Sequence, residues 1–253
     1  MDYGIYQAAA GLQVNQYRQA VLANNLANVD TVGFKHDLTI VRERQAASEE
    51  DLTDVSGTDP RLSRMTGGSF VAPTHTTFEQ GMIKQTDSRL DVAVEGDGFF
   101  TVRDGDAVRY TRDGRFTLNA NGELVTVAGH HRVLDEQGEP IVVTEDAAGS
   151  VGIMASGEVR AGDVTFGRLG MVDFEDRSGL CKVGGNLFKA AGVTPAPHAA
   201  DLRPGAIEAS TVDPTQTMVA MIEVSRAYEL NATLIGLADS TLGRAVNDIA
   251  RLR

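Results

Sequence analysis

The two ends of this 253-residue chain are alike, and its middle is unlike either. Residues 4–27 and 214–250 each carry apolar side chains at helical spacing and are nearly free of internal Gly and Pro. The stretch between them is broken into short alternating segments by turn residues. Few folds accommodate this order. The strands of the middle must build a core of their own, and the two terminal helices must cover their apolar stripes on each other or on other molecules. The fold class is therefore α+β: terminal helices paired in a coiled-coil-like arrangement, around a central, mainly antiparallel β domain.

In the first helix, Ile5, Leu12 and Leu26 share a seven-residue row in which Gln19 is the gap, and Val14 and Val21 form a second row. The helix should end near Asn28, with Gly33 where the chain turns away. The second helix has clearer signals. Asp213 is placed to cap it, Pro214 suits the first helical position, and Gln216 stands at the capping-box position. From there Met221, Tyr228, Ile235, Leu242 and Ile249 recur every seven residues. Val224, Ala238 and Ala245 sit three residues on, in a row broken by Asn231. Such a row is the mark of a coiled-coil seam, and a helix over 214–250 would be about 55 Å long.

Residues 36–75 read as an extended connector, with a Ser/Thr/Gly/Asp-rich run to Gly68. Strand signals start at Ser69–Val71 and strengthen through Leu90–Val94 and Phe99–Val102. Asp104-Gly105-Asp106, Asp113-Gly114, Asn121-Gly122 and Gln137-Gly138 then supply hairpin-turn signals about 8–16 residues apart. Later strands fit Glu158–Arg160, Leu169–Phe174 and Leu187–Lys189, while the prolines of 193–205 read as a linker. The expected division is a helical domain of 1–35 plus 210–253, a connector of 36–75, and a β-rich domain of 76–205.

Charge separates the same parts. Asp2 and Asp30 balance Arg18 and Lys35 in residues 1–35. Four acids balance four arginines in 214–253, so the whole net charge of −12 falls in 36–213. Neutral ends can pack against copies of themselves without repulsion, and an acidic middle stays solvated. An acidic chain without Trp and with only 6% aromatics is a poor nucleic-acid binder. No apolar run is long enough for a membrane span, and the start Met1-Asp2-Tyr3-Gly4 argues against a cleavable signal peptide.

Signals for chemistry are weak. The single Cys181 excludes an internal disulfide or a cysteine zinc cluster. None of the five histidines has metal-protease spacing, and His130-His131 read as turn residues. Gly96-Asp97-Gly98 is followed by Phe99-Phe100 rather than by a helix start, so it is a poor dinucleotide loop. The acidic turns lack calcium-loop spacing. Neither a catalytic residue, a metal ligand nor a cofactor site is expected. The competing class is an acidic enzyme or calcium-dependent β domain carrying an oligomerising coiled coil, which would need a deep pocket with convergent polar groups.

Three segments resemble the flagellar rod and hook family of bacteria. They are ANNLANVDTVGFK (Ala23 to Lys35), the stretch from Arg89 to Pro140 containing LDVAVEGDGFFTV and YTRDGRFTLNANGELVT, and STVDPTQTMVAMIEVSRAYELNATLI (Ser210 to Ile235). They occur in the family's order. The start Met1-Asp2 and the length resemble the proximal-rod branch most, with the distal-rod branch the close alternative. The resemblance implies a non-enzymatic axial subunit of the basal-body rod, crossing the periplasm and transmitting torque. It implies assembly with other rod subunits and with copies of itself, and delivery by the flagellar type III export apparatus without signal cleavage. The assembly interface would draw on Asn24, Asn25, Leu26, Asn28, Gly33 and Phe34 at the first helix end, and on Met221, Tyr228, Ile235, Leu242 and Ile249 along the second helix. Gly33 is expected at positive φ, where Asn should be tolerated better than Val.

Overall fold

The computed structural model describes residues 2–44 and 68–251. The chain divides into two compact units. One comprises residues 1–27, 37–75 and 213–253, and the other 28–36 and 76–212.

The first unit is built on α1 (Asp2–Ala27) and α2 (Pro214–Arg251). The Asp213 carboxylate accepts from the backbone N–H groups of Thr215 (2.8 Å) and Gln216 (3.1 Å), which satisfies two orphan donors at the start of α2. Asp213→Ala should cost about 1 kcal/mol of helix stability, measurable by thermal circular dichroism; an unchanged melt would show the cap to be idle. α1 and α2 run antiparallel, because Gly11 faces Asn231 while Gln19 donates to Ser225 Oγ (3.3 Å). Ala8, Val14 and Val224 are buried in this unit. Val41–Glu43 pairs antiparallel with Ser69–Val71, and Gly68 lies against Ala10 of α1. From Asp37 on, the described parts of the expected connector therefore belong with the helices. The 45–67 stretch of that connector lies outside the described residues.

The second unit is an antiparallel β domain. One sheet path runs Leu180–Gly184, Leu187–Ala190, Ala107–Thr111, Phe99–Asp104, Arg132–Val133, Leu124–Thr126 and Phe116–Leu118. Met171–Asp173 joins it alongside Phe99–Asp104. Gly152–Ile153, Glu158–Ala161 and Val164–Arg168 form a separate three-stranded sheet. The main core gathers Val92, Val94, Phe100, Val102, Leu124 and Val159, all fully buried. A second cluster stacks Phe78, Phe99, Phe174 and Phe188 edge-on or tilted, with ring centroids 5.4–5.8 Å apart.

Three expectations change here. Asp113-Gly114 is not a hairpin turn, since Phe116–Leu118 pairs with Leu124–Thr126 and not with Ala107–Thr111. Arg112 and Asp113 are instead buried at a corner, and a Cβ on Gly114 would lie 1.7 Å from the Val92 carbonyl oxygen. Residues 193–205 are not only a linker: Asp201–Pro204 pairs residue for residue with Val92–Glu95, with Leu202 facing the core. Pro204 fits because it stands at the strand's end, where a missing N–H costs little. Lastly, residues 28–35 belong to the β unit and not to the helical one.

Candidate assembly interface

Two places hold the residues that the sequence marks for assembly. The first is the α1–α2 pair. At 100° per residue, Met221, Val224, Tyr228, Asn231, Ile235, Ala238 and Leu242 fall on one face of α2. Asn231 on that face meets Gly11 of α1. Val224 is 2% exposed, Met221, Ile235 and Leu242 are half-buried, and Tyr228 is exposed at 39%. Much of the heptad row is thus used inside the chain. α2 has 38 residues and α1 only 26. Continuing the antiparallel register, α1 begins opposite about residue 240, so α2 runs on for about three turns. Leu242 and Ile249 stand on that overhang; Ile249 is helical, and its side chain lies outside the described residues. At the other end of α1, Leu26 is half-buried and Asn24 is exposed. Asn25 is buried, and its amide Nδ2 donates to the Asp37 carbonyl (2.8 Å) while Oδ1 accepts from the Asp37 N–H (3.0 Å). A side chain that mimics a strand partner needs both a donor and an acceptor, which explains Asn at this position.

The second place lies inside the β unit, where residues 28–36 pack along 206–212. Asn28 opens this strap and accepts from the Thr31 hydroxyl (3.1 Å). Gly33 is at φ +69° and donates its N–H to the Glu208 carbonyl (2.7 Å). A Cβ there would stand 2.6 Å from the Arg112 carbonyl carbon. The positive φ agrees with expectation. The tolerance expected for Asn does not follow, because any side chain, whatever its φ preference, brings that Cβ. Phe34 is buried, with the Lys182 ammonium 4.2 Å from its ring centroid. The Phe34 carbonyl accepts from the Thr211 N–H (3.1 Å), and His36 N–H bonds the Thr211 hydroxyl (3.0 Å).

Beneath the strap is a group the sequence reading missed. Lys35 is fully buried, and its ammonium donates to Glu208 Oε1 (2.6 Å) and to the Glu79 carbonyl. Glu208 Oε1 also accepts from the Gly81 N–H (2.7 Å), and Arg112 stands 3.6 Å from Glu208 Oε2. Arg112 also donates to the Gly96 carbonyl (2.9 Å) and lies over the Phe99 ring. Burial pulls the Lys35 pKa below its ordinary value, and the Glu208 carboxylate opposes that pull. Burial lowers the Arg112 pKa too, again opposed by Glu208. The available signal was Glu208 within the apolar Ala206-Ile207-Glu208-Ala209, a charge where a strand has no reason to carry one unless it is paired.

The β unit also holds a groove of about 610 Å³ lined in part by Tyr110, Met171, Pro195, Pro197, His198 and Arg168. Arg168 pairs with Glu136 (3.2 Å) and donates to the Ser156 carbonyl (2.7 Å), so that charge is already satisfied. Among the described residues, no group of His, Cys, Asp and Glu could hold a metal ion, and no helix is long and apolar enough to cross a membrane.

Known families match the chain in three consecutive segments. Residues 5–35 match "Flagella basal body rod protein", 93–161 match "Flagellar hook protein FlgE/F/G D1 domain", and 203–248 match "Flagellar basal body rod FlgEFG protein C-terminal". Among curated proteins, the chain is 35% identical to the flagellar basal-body rod protein FlgG of Borreliella burgdorferi, over 98% of each chain. It is also 35% identical to FlgF of Caulobacter vibrioides, over 100% of this chain and 98% of that one. With FlgG of Caulobacter vibrioides the identity is 31%, over 93% of this chain and 95% of that one.

Proposed function

The chain belongs to the flagellar basal-body rod protein family, and from that premise we propose that it is a structural subunit of the rod that packs axially and transmits torque. The single observation that carries this reading is full-length likeness to relatives that bear the rod name, with both terminal helices and the β domain matched in order. The physical features fit. A shaft needs long rigid elements with apolar faces and little net charge where copies meet, and α1 and α2 supply both. Its neighbours are other rod subunits and copies of itself, and it reaches them through the flagellar export apparatus without signal cleavage. We place it on the FlgF branch; support comes from one organism, Caulobacter vibrioides, where the chain is 35% identical to FlgF and 31% to FlgG, while FlgG of Borreliella burgdorferi matches at 35% as well, so the deletion strains below decide the branch.

Complementation tests this. The gene should restore swimming to a non-motile strain lacking FlgF, and the chain should co-purify with its basal bodies. Rescue of a FlgG deletion instead would reassign the branch, and rescue of neither would remove the rod reading. Within that assay, Ile235→Asp should abolish swimming. A carboxylate on the half-buried α2 face meets apolar surroundings without a partner, at several kcal/mol. Normal motility would show that the α1–α2 seam within the chain tolerates a charge at this position.

A further inference from the structure

The chain passes from one unit to the other after residues 27, 36, 75 and 212. Three of these points are an end of the 28–36 strap or of the 206–212 segment beside it. The two segments hold each other through the Gly33 N–H on the Glu208 carbonyl (2.7 Å) and the Thr211 N–H on the Phe34 carbonyl (3.1 Å). Those bonds do not fasten the pair to the rest of the β unit. Ala206–Glu208 is secured by pairing with Ile83–Gln85, but the strap contains no strand until Asp37. Side chains hold it instead. Asn186 Nδ2 donates to the Val32 carbonyl (2.7 Å), and the Lys182 ammonium donates to the Lys35 carbonyl. Beneath it the Lys35 ammonium reaches Glu208 and the Glu79 carbonyl, Glu208 Oε1 takes the Gly81 N–H (2.7 Å), and Arg112 beside Glu208 Oε2 holds the Gly96 carbonyl (2.9 Å). One buried carboxylate thus ties the strap and the 206–212 segment to three further stretches of the β unit.

As a source of stability this cluster is poorly built. It buries two cations against one carboxylate, with no side chain more than 1% exposed. Arg112 Nε and Glu208 Oε2 are buried without a hydrogen-bond partner among the described residues. For both cations burial is the largest influence on the pKa, ahead of Glu208. Apolar side chains of similar volume often serve as well or better in such a place. What an apolar contact lacks is direction. It slides or peels gradually, whereas a short ion pair with fixed donors must break before the segment can move. We propose that the Lys35–Glu208–Arg112 cluster is a mechanical anchor, which keeps the strap and the 206–212 segment seated in the β unit when force arrives along the chain. The inference rests on the rod reading, which supplies the force, and adds the place where that force is taken up. Gly33 sets where the strap lies, because no Cβ fits against the Arg112 backbone, and the cluster stops the strap from lifting away.

The test compares the full-length parent with a triple variant, Lys35→Met, Arg112→Met and Glu208→Gln, in which the glutamine keeps an acceptor for the Gly81 N–H. In the purified chains, the denaturation midpoint of the variant should equal or exceed that of the parent. Hydrogen exchange at the Gly33 and Thr211 amides should lose its protection, while amides of Phe99–Asp104 keep theirs. A lower midpoint would make the cluster an ordinary stabilising element and overturn the anchor, as would unchanged protection at Gly33 and Thr211. In cells, the variant should reach basal bodies and swim in dilute medium, but lose swimming in a viscous medium through which the parent still swims. Parental swimming of the variant under that load overturns the anchor and leaves the rod reading intact. So does failure of the variant to enter basal bodies that admit the parent, since the cluster would then serve assembly. Absence of the parent itself from basal bodies removes the rod reading, and the anchor with it.

Discussion

Glu208→Leu should destabilise the β unit by about 3–5 kcal/mol, because the substitution leaves the Lys35 ammonium and the Arg112 guanidinium buried without their counter-charge. It also orphans the Gly81 N–H. Chemical denaturation followed by far-ultraviolet circular dichroism measures the loss. A deficit below about 1 kcal/mol would show that the cluster is not a closed one. Adding Lys35→Met should recover part of the loss, since apolar groups of similar volume can replace a buried pair. The deficit should also depend on pH. The Lys35 pKa lies below its ordinary 10.5 in the folded chain, so the unfolded chain binds more protons in the window below that value. Folding therefore gains from this group as pH rises toward 10.5 and loses as pH falls through the folded pKa. Without Glu208, the largest influence raising that pKa is gone, so the window widens downward. The gap between variant and parent should narrow from neutral pH toward 10.5. A constant gap would take Lys35 out of the cost.

Gly33→Val is the second large effect, at about 3 kcal/mol or more. Two causes add: a β-branched residue at φ +69°, and a Cβ 2.6 Å from the Arg112 backbone. The neighbouring atoms are main chain in a corner already fixed by Arg112 and Asp113, so they cannot swing aside. For this reason Gly33→Asn should cost nearly as much as Val, although Asn accepts the φ value readily. Both variants should unfold at lower denaturant and fail to restore swimming. An Asn variant within about 1 kcal/mol of the parent would mean that the corner yields and that only φ matters at this position.

Much of this protein could be read from neighbouring residues alone. The spans of α1 and α2 follow from apolar spacing and from Asp213 and Pro214 at the start of the second helix. The turns at Gly105, Gly122 and Gly138 follow from residues that accept positive φ. The family followed from three motifs in order. All of these are local properties, fixed by what lies within a few positions along the chain. The failures were equally consistent in kind. Asp113-Gly114 has turn chemistry, yet it is buried because Arg112 beside it reaches Gly96 and Glu208, and the Gly114 carbonyl accepts from the Val92 N–H, all in segments outside the turn. The proline-rich 193–205 stretch looks like a linker until Val92–Glu95, about a hundred residues earlier, offers it a strand to pair with.

The candidate interface divides in the same way. Periodicity marks Met221, Ile235 and Leu242 as one seam, but it cannot say that α1 of the same chain covers most of it, nor that α2 outruns α1. Val219, Ile222, Leu230, Leu234 and Leu237 of α2 are exposed, yet they are as apolar as the seam and differ from it only in what stands opposite. Lys35 is one residue in a Gly-Phe-Lys motif until Glu208, 173 positions away, closes on it. The sequence by itself determined the elements, their caps and their order. Which face is covered, which charge is paired and which glycine has no room for a Cβ were decided only by the tertiary structure, because burial is a property of segments that meet in space and not of segments that follow one another in the chain.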